Sequence, residues 1–205
     1  LLVAQVISLP LYIWYSKRTS KSRGYILGLV IWVVAMFFSF LLAPDQASWV
    51  IYAFAALVGL GTGGIVVMIY AIFPDIPDVD ELRSGERREG IYSALVTFIR
   101  KFSSALAIFA VSLTIEWAGY IPPVEKVVDG ATSLIEQSQT ASFLFVLRML
   151  FMLLPVILLV FALIFAVRFP LTPALHKRLN TYLSSVRKGE EPEEDGAELK
   201  QILLG

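Results

Sequence analysis

Five stretches of this chain are apolar for long enough to approach or exceed the width of a lipid bilayer, and nothing else in the sequence limits its fold as strongly. They run over about 1–15, 25–43, 48–73, 90–120 and 142–167. A spanning helix needs about 20 apolar residues to cross some 30 Å of hydrocarbon. The first run is shorter. It begins at Leu1, inside apolar sequence, with no initiator methionine and no basic region ahead of it. That reads as a piece of a longer protein and not as a signal peptide. Inside lipid only helices and closed barrels satisfy their own backbone hydrogen bonds. No run alternates strictly between apolar and polar residues, as a barrel strand would. The expected fold is therefore an all-α membrane protein, a polytopic helical bundle over residues 1–169, with a tail over 170–205. The composition agrees: 57% of residues are hydrophobic and the mean hydropathy is +0.73, above the range of soluble domains.

The formal net charge is zero, but the charges are segregated. Lys17, Arg18, Lys21 and Arg23 follow the first run, and Arg83, Arg87 and Arg88 follow the third. Arg168, Lys177, Arg178, Arg187, Lys188 and Lys200 lie in the tail. If the five runs cross, all of these fall on one side, and the opposite loops hold only Lys126. The positive-inside rule makes the loaded side cytoplasmic. The expected location is the cell (cytoplasmic) membrane, with tail and basic loops inside. Trp14 would sit at the inner interface, and Trp49 and Trp117 at the outer one.

Several features carry no chemistry. There is no cysteine, hence no disulfide framework and no thiolate metal site. His176, the one histidine, lies in a polar tail and reads as a solvated surface residue. Gly59–Gly64 (GLGTGG) lacks the strand and βαβ setting of a nucleotide loop. Small residues that let helices pack closely in lipid explain it better. Residues 119–140 read as a connector with a short interfacial helix, and Pro155 as a kink in the last run. Thr172-Pro173 is an N-cap and first-turn pair that opens an amphipathic helix over about 173–187. Its stripe of Leu175, Leu179, Tyr182 and Val186 should lie on the inner membrane surface, on the loops, or against a partner. The acidic run from Glu190 to Asp195 reads as disordered. The spacing in DIPDVDE lacks the glycine and the twelfth-position glutamate of a calcium loop. The carboxylates come with no nucleophile, histidine or metal ligand, so no enzyme and no metal site is expected.

Function concentrates between Pro74 and Lys101. A charged loop holding Asp75, Asp78, Asp80, Glu81, Arg83, Arg87, Arg88 and Glu89 runs directly into an apolar helix. Ion pairs at such a mouth suit a reversible gate, because each is worth little; the alternative is a merely solvated loop. About 16 Å along the helix, near mid-membrane, come Arg100 and Lys101. Ser93, Thr97 and Lys101 recur every four residues and share one face. An ammonium there needs a water-filled cavity or a carboxylate on another helix. Lys101, Thr97, Ser93 and Tyr92 form the expected substrate and coupling path. Arg100 points about 100° away and is assigned a structural role. Arg148 and Glu116, nearer the outer ends of the last two runs, are read as a structural pair. The other reading of the intramembrane cations is snorkelling or structural pairing alone.

PDIPDVDELRSGERREG followed by IYSALVTFIRK resembles the loop and helix between the tenth and eleventh spans of the glycoside–pentoside–hexuronide:cation symporters. These are the melibiose-permease-like branch of the major facilitator superfamily. SLPLYIWYSKRTSKSRGY resembles that family's loop after span eight, and RFPLT with its basic helix resembles the family's tail. The resemblance implies the C-terminal half of such a transporter, spans eight to twelve. It places Lys101 in the central sugar-and-cation cavity, with Thr97 on the sugar side. Val96 stands where sugar-binding members often carry a polar residue. The run near Val66 lacks the aromatic that the melibiose branch places beneath the sugar. LTIEWAGY and the charged loop are also similar to the lysolipid–sodium symporters. The implied function is Na⁺- or H⁺-coupled symport of a sugar or glycoside by alternating access. The alternatives are symport of a lysolipid or other amphiphile, and a non-transporting sensor or scaffold. No cofactor is implied beyond the coupling ion. Its carboxylates would lie in the missing N-terminal half, since no Asp or Glu lies deep in these runs. The expected partners are that half, the bilayer and a small solute, with no nucleic acid.

Overall fold

The computed structural model describes residues 1–40, 42, 47–128, 131–192 and 194–204. The chain runs α1 (Leu2–Arg18), α2 (Lys21–Phe40), α3 (Ser48–Ile72), α4 (Asp75–Ser84), α5 (Glu89–Trp117), β1 (Val124–Val128), β2 (Ala131–Ile135), α6 (Ala141–Val167), α7 (Pro173–Lys188) and α8 (Gly196–Leu204). Four helical stretches are long and apolar enough to cross a membrane: Lys21–Ser39, Ser48–Ser84, whose apolar part is α3 and not the charged α4, Glu89–Trp117 and Ala141–Val167. The first apolar run forms a helix too, but its 17 residues fall short of a full crossing. The far end of the second run, out to Ala43, lies outside the described residues.

The helices form two compact units. One comprises residues 1–94 and 155–205. Its centre is α3, packed against α1 and α2 through the Gly59–Gly64 stretch. A Cβ on Gly61 would come within 2.7 Å of the Trp32 backbone nitrogen, and one on Gly28 within 2.9 Å of the Ile65 nitrogen. Ser8 and Tyr12 of α1 fill the space that a Cβ at Gly63 or Gly64 would take. The glycines thus let three backbones approach closely, as small residues do in lipid. Leu29, Ala35, Met36, Val58, Ile65, Leu159 and Ala166 form the core of this packing.

A second apolar cluster lies where α4, α7 and α8 meet: Leu82, Leu171, Leu175, Leu179, Leu183 and Leu199, with Leu179 and Leu199 at 0% exposure. The segment after Pro74 is a helix here, not the loop that its charge suggested. Asp75 and Asp78 in its first turn and Arg83 in its last complement the helix dipole. Pro77 falls in the first turn, where the missing N–H costs no hydrogen bond. Gly85 ends it in the left-handed conformation at φ 74°. In α7, the Thr172 hydroxyl accepts a hydrogen bond from the Leu175 N–H at 3.3 Å. The buried seam of α7 is Leu175, Leu179 and Leu183, rotated from the expected stripe, and Val186 is 49% exposed. Four-residue steps bring those three leucines onto Leu82 and Leu199, so α7 lies on α4.

Beyond the acidic run, α8 forms over Gly196–Leu204. Asp195 accepts from the Ala197 N–H at 2.8 Å, Leu199 is buried, and Arg178 binds Glu194 at 2.7 Å and Glu198 at 2.8 Å. Neutralised carboxylates and one buried leucine offset the ordering entropy that a free acidic tail would keep.

The other unit, residues 95–154, holds most of α5, the first half of α6 and their connector. The connector is an antiparallel hairpin, Val124 opposite Ile135 through Val128 opposite Ala131, where a short interfacial helix was expected. β-Branched Val124, Val127 and Val128 and the Asp129-Gly130 dipeptide are a hairpin signal. Gln139 ties the hairpin's base by accepting from the Ile121 N–H at 3.0 Å and donating to its carbonyl at 2.8 Å. The Tyr120 and Phe143 rings lie 5.6 Å apart. No residue of α5 is buried.

Candidate functional site

The charged segment is built around the acids of α4. Asp75, Asp78 and Glu81 follow one another a turn apart. Their side chains are only 9%, 14% and 10% exposed. Carboxylates so covered are costly unless paired, and each meets cations from other elements. Lys21, at the start of α2, donates to both Asp75 oxygens at 2.8 and 2.6 Å. His176 Nε2 of α7 lies 3.5 Å from Asp75 Oδ1 and 3.5 Å from Asp78 Oδ2. Arg187, also of α7, donates through Nε to Glu81 at 2.7 Å, pairs with it again through Nη2, and reaches Asp78 at 3.6 Å. Arg87 reaches Asp78 at 3.7 Å and Glu81 at 3.5 Å, and binds Glu89. The hydrogen bond from Arg187 holds the Glu81 carboxyl below the usual carboxylate range, against the opposing effect of burial.

Asp80 points elsewhere and meets Arg88. Nε and Oδ2 are 3.1 Å apart, within ion-pair range, but the N–H is not aimed at that oxygen. The hydrogen bond runs instead from Nη2 to Oδ1 at 3.5 Å. Arg83 has no ion pair among the described residues. It lines a cavity of about 270 Å³ together with Asp75, Asp80 and Tyr92. A second cavity, about 280 Å³, lies between α1, α2, α4 and α7, with Lys17, Lys21, Asp75 and His176 on its wall.

The structure therefore joins Asp75, Asp78, Glu81, Arg87 and Glu89 in one network and sets Asp80 with Arg88 beside it. It adds Lys21, Arg187 and His176, which sequence reasoning left out. His176 is not a solvated surface residue: its side chain is 22% exposed and faces two carboxylates. The signal was present in the facing charge of acidic α4 and basic α7, but sequence alone did not say that they meet.

Ser93, Thr97 and Lys101 lie on exposed turns of α5 at four-residue spacing, with Tyr92 half-buried beside them. Arg100 is exposed on the neighbouring face. Among the described residues no ion pair joins Glu116 to Arg148. Glu116 is next to the end of α5, whereas Arg148 lies roughly 10 Å of helix into α6. No group of His, Asp and Glu among the described residues is arranged to hold a metal ion.

Residues 1–173 match the model of the family described as MFS/sugar transport protein. The chain belongs to that family. This MFS chain is 30% identical over 179 residues to an uncharacterized symporter of Synechocystis, covering 85% of the chain and 31% of the relative. It is 33% identical over 110 residues to a putative sulfoquinovose importer of Salmonella typhimurium, covering 54% of the chain and 23% of that protein. With a sodium-dependent lysophosphatidylcholine symporter of Danio rerio it shares 22% over 202 residues, 98% of the chain and 35% of the relative. The chain thus spans about a third or less of the length of these relatives. The family and these relatives are described as transporters, not as enzymes. Four apolar helices in a chain of this family make it part of a multi-pass membrane protein.

Proposed function

We propose that this MFS chain belongs to a secondary symporter that carries a sugar-like solute across the cell membrane by alternating access, driven by a Na⁺ or H⁺ gradient. The observation that carries the proposal is the ion network on α4. It ties α2, α4, α7 and the start of α5 together by several contacts, each worth up to about 1 kcal/mol when partly exposed. A set of weak, reversible pairs at the end of a helical bundle suits a gate that closes in one state and opens in the other. The basic loops put that end in the cytoplasm. Asp75, Asp78, Asp80, Glu81, Arg83, Arg87, Arg88 and Glu89 are the gate. Lys101, Thr97, Ser93 and Tyr92 line the path, and Arg100, Arg148 and Glu116 serve structure. The coupling ion binds in the other half of the transporter, because no carboxylate lies deep in these helices. The family's description and the sulfoquinovose importer support a sugar-class solute.

The test is uptake by the full-length transporter in proteoliposomes, with and without an inward Na⁺ or H⁺ gradient. The panel includes glycosides, pentosides, uronides and sulfoquinovose. Gradient-driven uptake of one of these is the expected result; no uptake of any, from folded protein, overturns it. A second reading, an amphiphile such as a lysolipid, draws on the lysophosphatidylcholine symporter's match along 98% of the chain. One lysolipid in the same panel decides between them.

A further inference from the structure

The acids of α4 are held by more than their own segment: four of their contacts come from α7, two from His176 and two from Arg187. Given a transporter gate, as proposed above, we propose that His176 and Arg187 make the tail helix a working part of that gate. They position Asp75, Asp78 and Glu81 while the mouth is shut, and His176 makes the closure respond to protons.

Two features of the contact set α7 apart from a helix that merely rests on the bundle. Its apolar seam, Leu175, Leu179 and Leu183, is already buried against Leu82 and Leu199, which is enough to dock it. Arg187 and His176 add a second layer aimed at acids. Arg187 spans Glu81 and Asp78, two acids that Arg87 also reaches. Each of those carboxylates can therefore exchange one arginine for another, as a gate residue must when its partner moves away.

His176 has the geometry of a conditional contact. Its Nε2 lies 3.2 Å from the Asn180 side-chain nitrogen and 3.5 Å from oxygens of both Asp75 and Asp78. An amide N–H that donates to Nε2 requires a neutral ring with its proton on Nδ1. At 3.5 Å the carboxylates then gain little from it. Protonation puts an N–H on Nε2, turns the contact into a charge-assisted bond, and requires the Asn180 amide to turn its oxygen to the ring. The charged groups around it are Asp75 and Asp78 on α4, Lys21 from α2 on Asp75, Lys17 of α1 on the same cavity wall, and Arg87 and Arg187 on Asp78. Two carboxylates face the ring directly and the cations reach it through them, so protonation draws α7 onto α4. Acidification therefore tightens the gate.

The test uses the full-length transporter in inside-out vesicles, cysteine-free but for Ser93→Cys. The readout is the rate at which a membrane-impermeant maleimide alkylates that cysteine from the cytoplasmic side. With the tail intact, the alkylation rate, divided at each pH by the rate for the same cysteine in denatured protein so that loss of thiolate cancels, falls as pH drops from 8 to 5.5. Arg187→Ala raises the rate about two- to five-fold, as expected for loss of one partly exposed pair, and Arg187→Lys restores part of it. His176→Gln keeps an uncharged hydrogen-bonding side chain and flattens the pH profile; this variant carries the test if Arg187→Ala does not fold. An unchanged rate in folded Arg187→Ala, or an unchanged pH profile in His176→Gln, overturns the proposal. Uptake of labelled sulfoquinovose and the rest of the panel by the transporter with Ser93 intact, measured in parallel, separates this result from the transport reading. Alkylation that responds to α7 in a protein that moves no solute supports the tail gate and removes symport. Symport with alkylation indifferent to α7 does the reverse.

Discussion

Lys101 shows what one residue asks of its surroundings. An ammonium some 16 Å along an apolar helix needs water or a counter-charge. In this chain it stands on an exposed turn of α5. Lys101→Ala is expected to abolish gradient-driven uptake, by at least about ten-fold, or roughly 1.4 kcal/mol, while expression and folding stay the same. Arg100→Ala should leave transport measurable and affect folded yield instead. Equal loss from both substitutions, by the same uptake assay, would remove the distinction between path and structure. His176 teaches the opposite lesson. It lies in a tail rich in charge, yet folding places it against two acids from about a hundred residues earlier in the chain.

At the scale of elements, α7 is held by an apolar seam and a charged one, and each can be removed separately. Leu179 is fully buried, so Leu179→Ala should cost about 2–5 kcal/mol of docking. Limited proteolysis of the full-length protein should then cut within Pro173–Lys188 sooner. Glu81 makes a pH prediction for the charged seam. Arg187 holds its carboxyl below the ordinary value. Its contribution is therefore complete above the unfolded value of about 4.3 and fades as pH falls through the lower folded value. Tail docking followed by the same proteolysis should persist to about pH 4 and weaken below it, and Glu81→Gln should remove that acid step. The α2–α3 contact depends on volume instead. Gly61→Val drives a branched side chain into the Trp32 backbone and should lower the melting temperature in detergent, since overpacking costs about 1–3 kcal/mol. An unchanged melting temperature would mean that the two helices do not pack this closely in the whole transporter.

For the molecule as a whole, apolar surface is the dominant fact. Phe98, Phe102, Ile108 and Phe109 of α5 are 58–67% exposed, and many apolar residues of α6 are exposed too. Contiguous apolar surface of this extent belongs against lipid or protein, which agrees with a chain that matches about a third or less of its relatives' length. Function at this scale depends on the complete transporter. Uptake that requires a Na⁺ or H⁺ gradient and collapses with an ionophore is the expected behaviour, and gradient-independent equilibration would point to a uniporter.

The sequence by itself determined that this chain is a helical membrane protein and where its long helices run, because hydrocarbon admits few backbone structures and the apolar runs have nearly the required lengths. It marked the acidic segment and Lys101 as costly charges, and Gly59–Gly64 as a packing stretch. Its loop-and-helix motif also led to the right family. The helix at Asp75–Ser84, the hairpin at Val124–Ile135 and the helix at Gly196–Leu204 were harder to read. Each is short, and short elements depend on what they pack against or pair with. Only the tertiary structure decided that α7 lies on α4, with Leu179 under Leu199 and Arg187 on Glu81. That choice rests on shape and charge matching between segments about a hundred residues apart, and no local pattern encodes which of several apolar surfaces an amphipathic helix will cover.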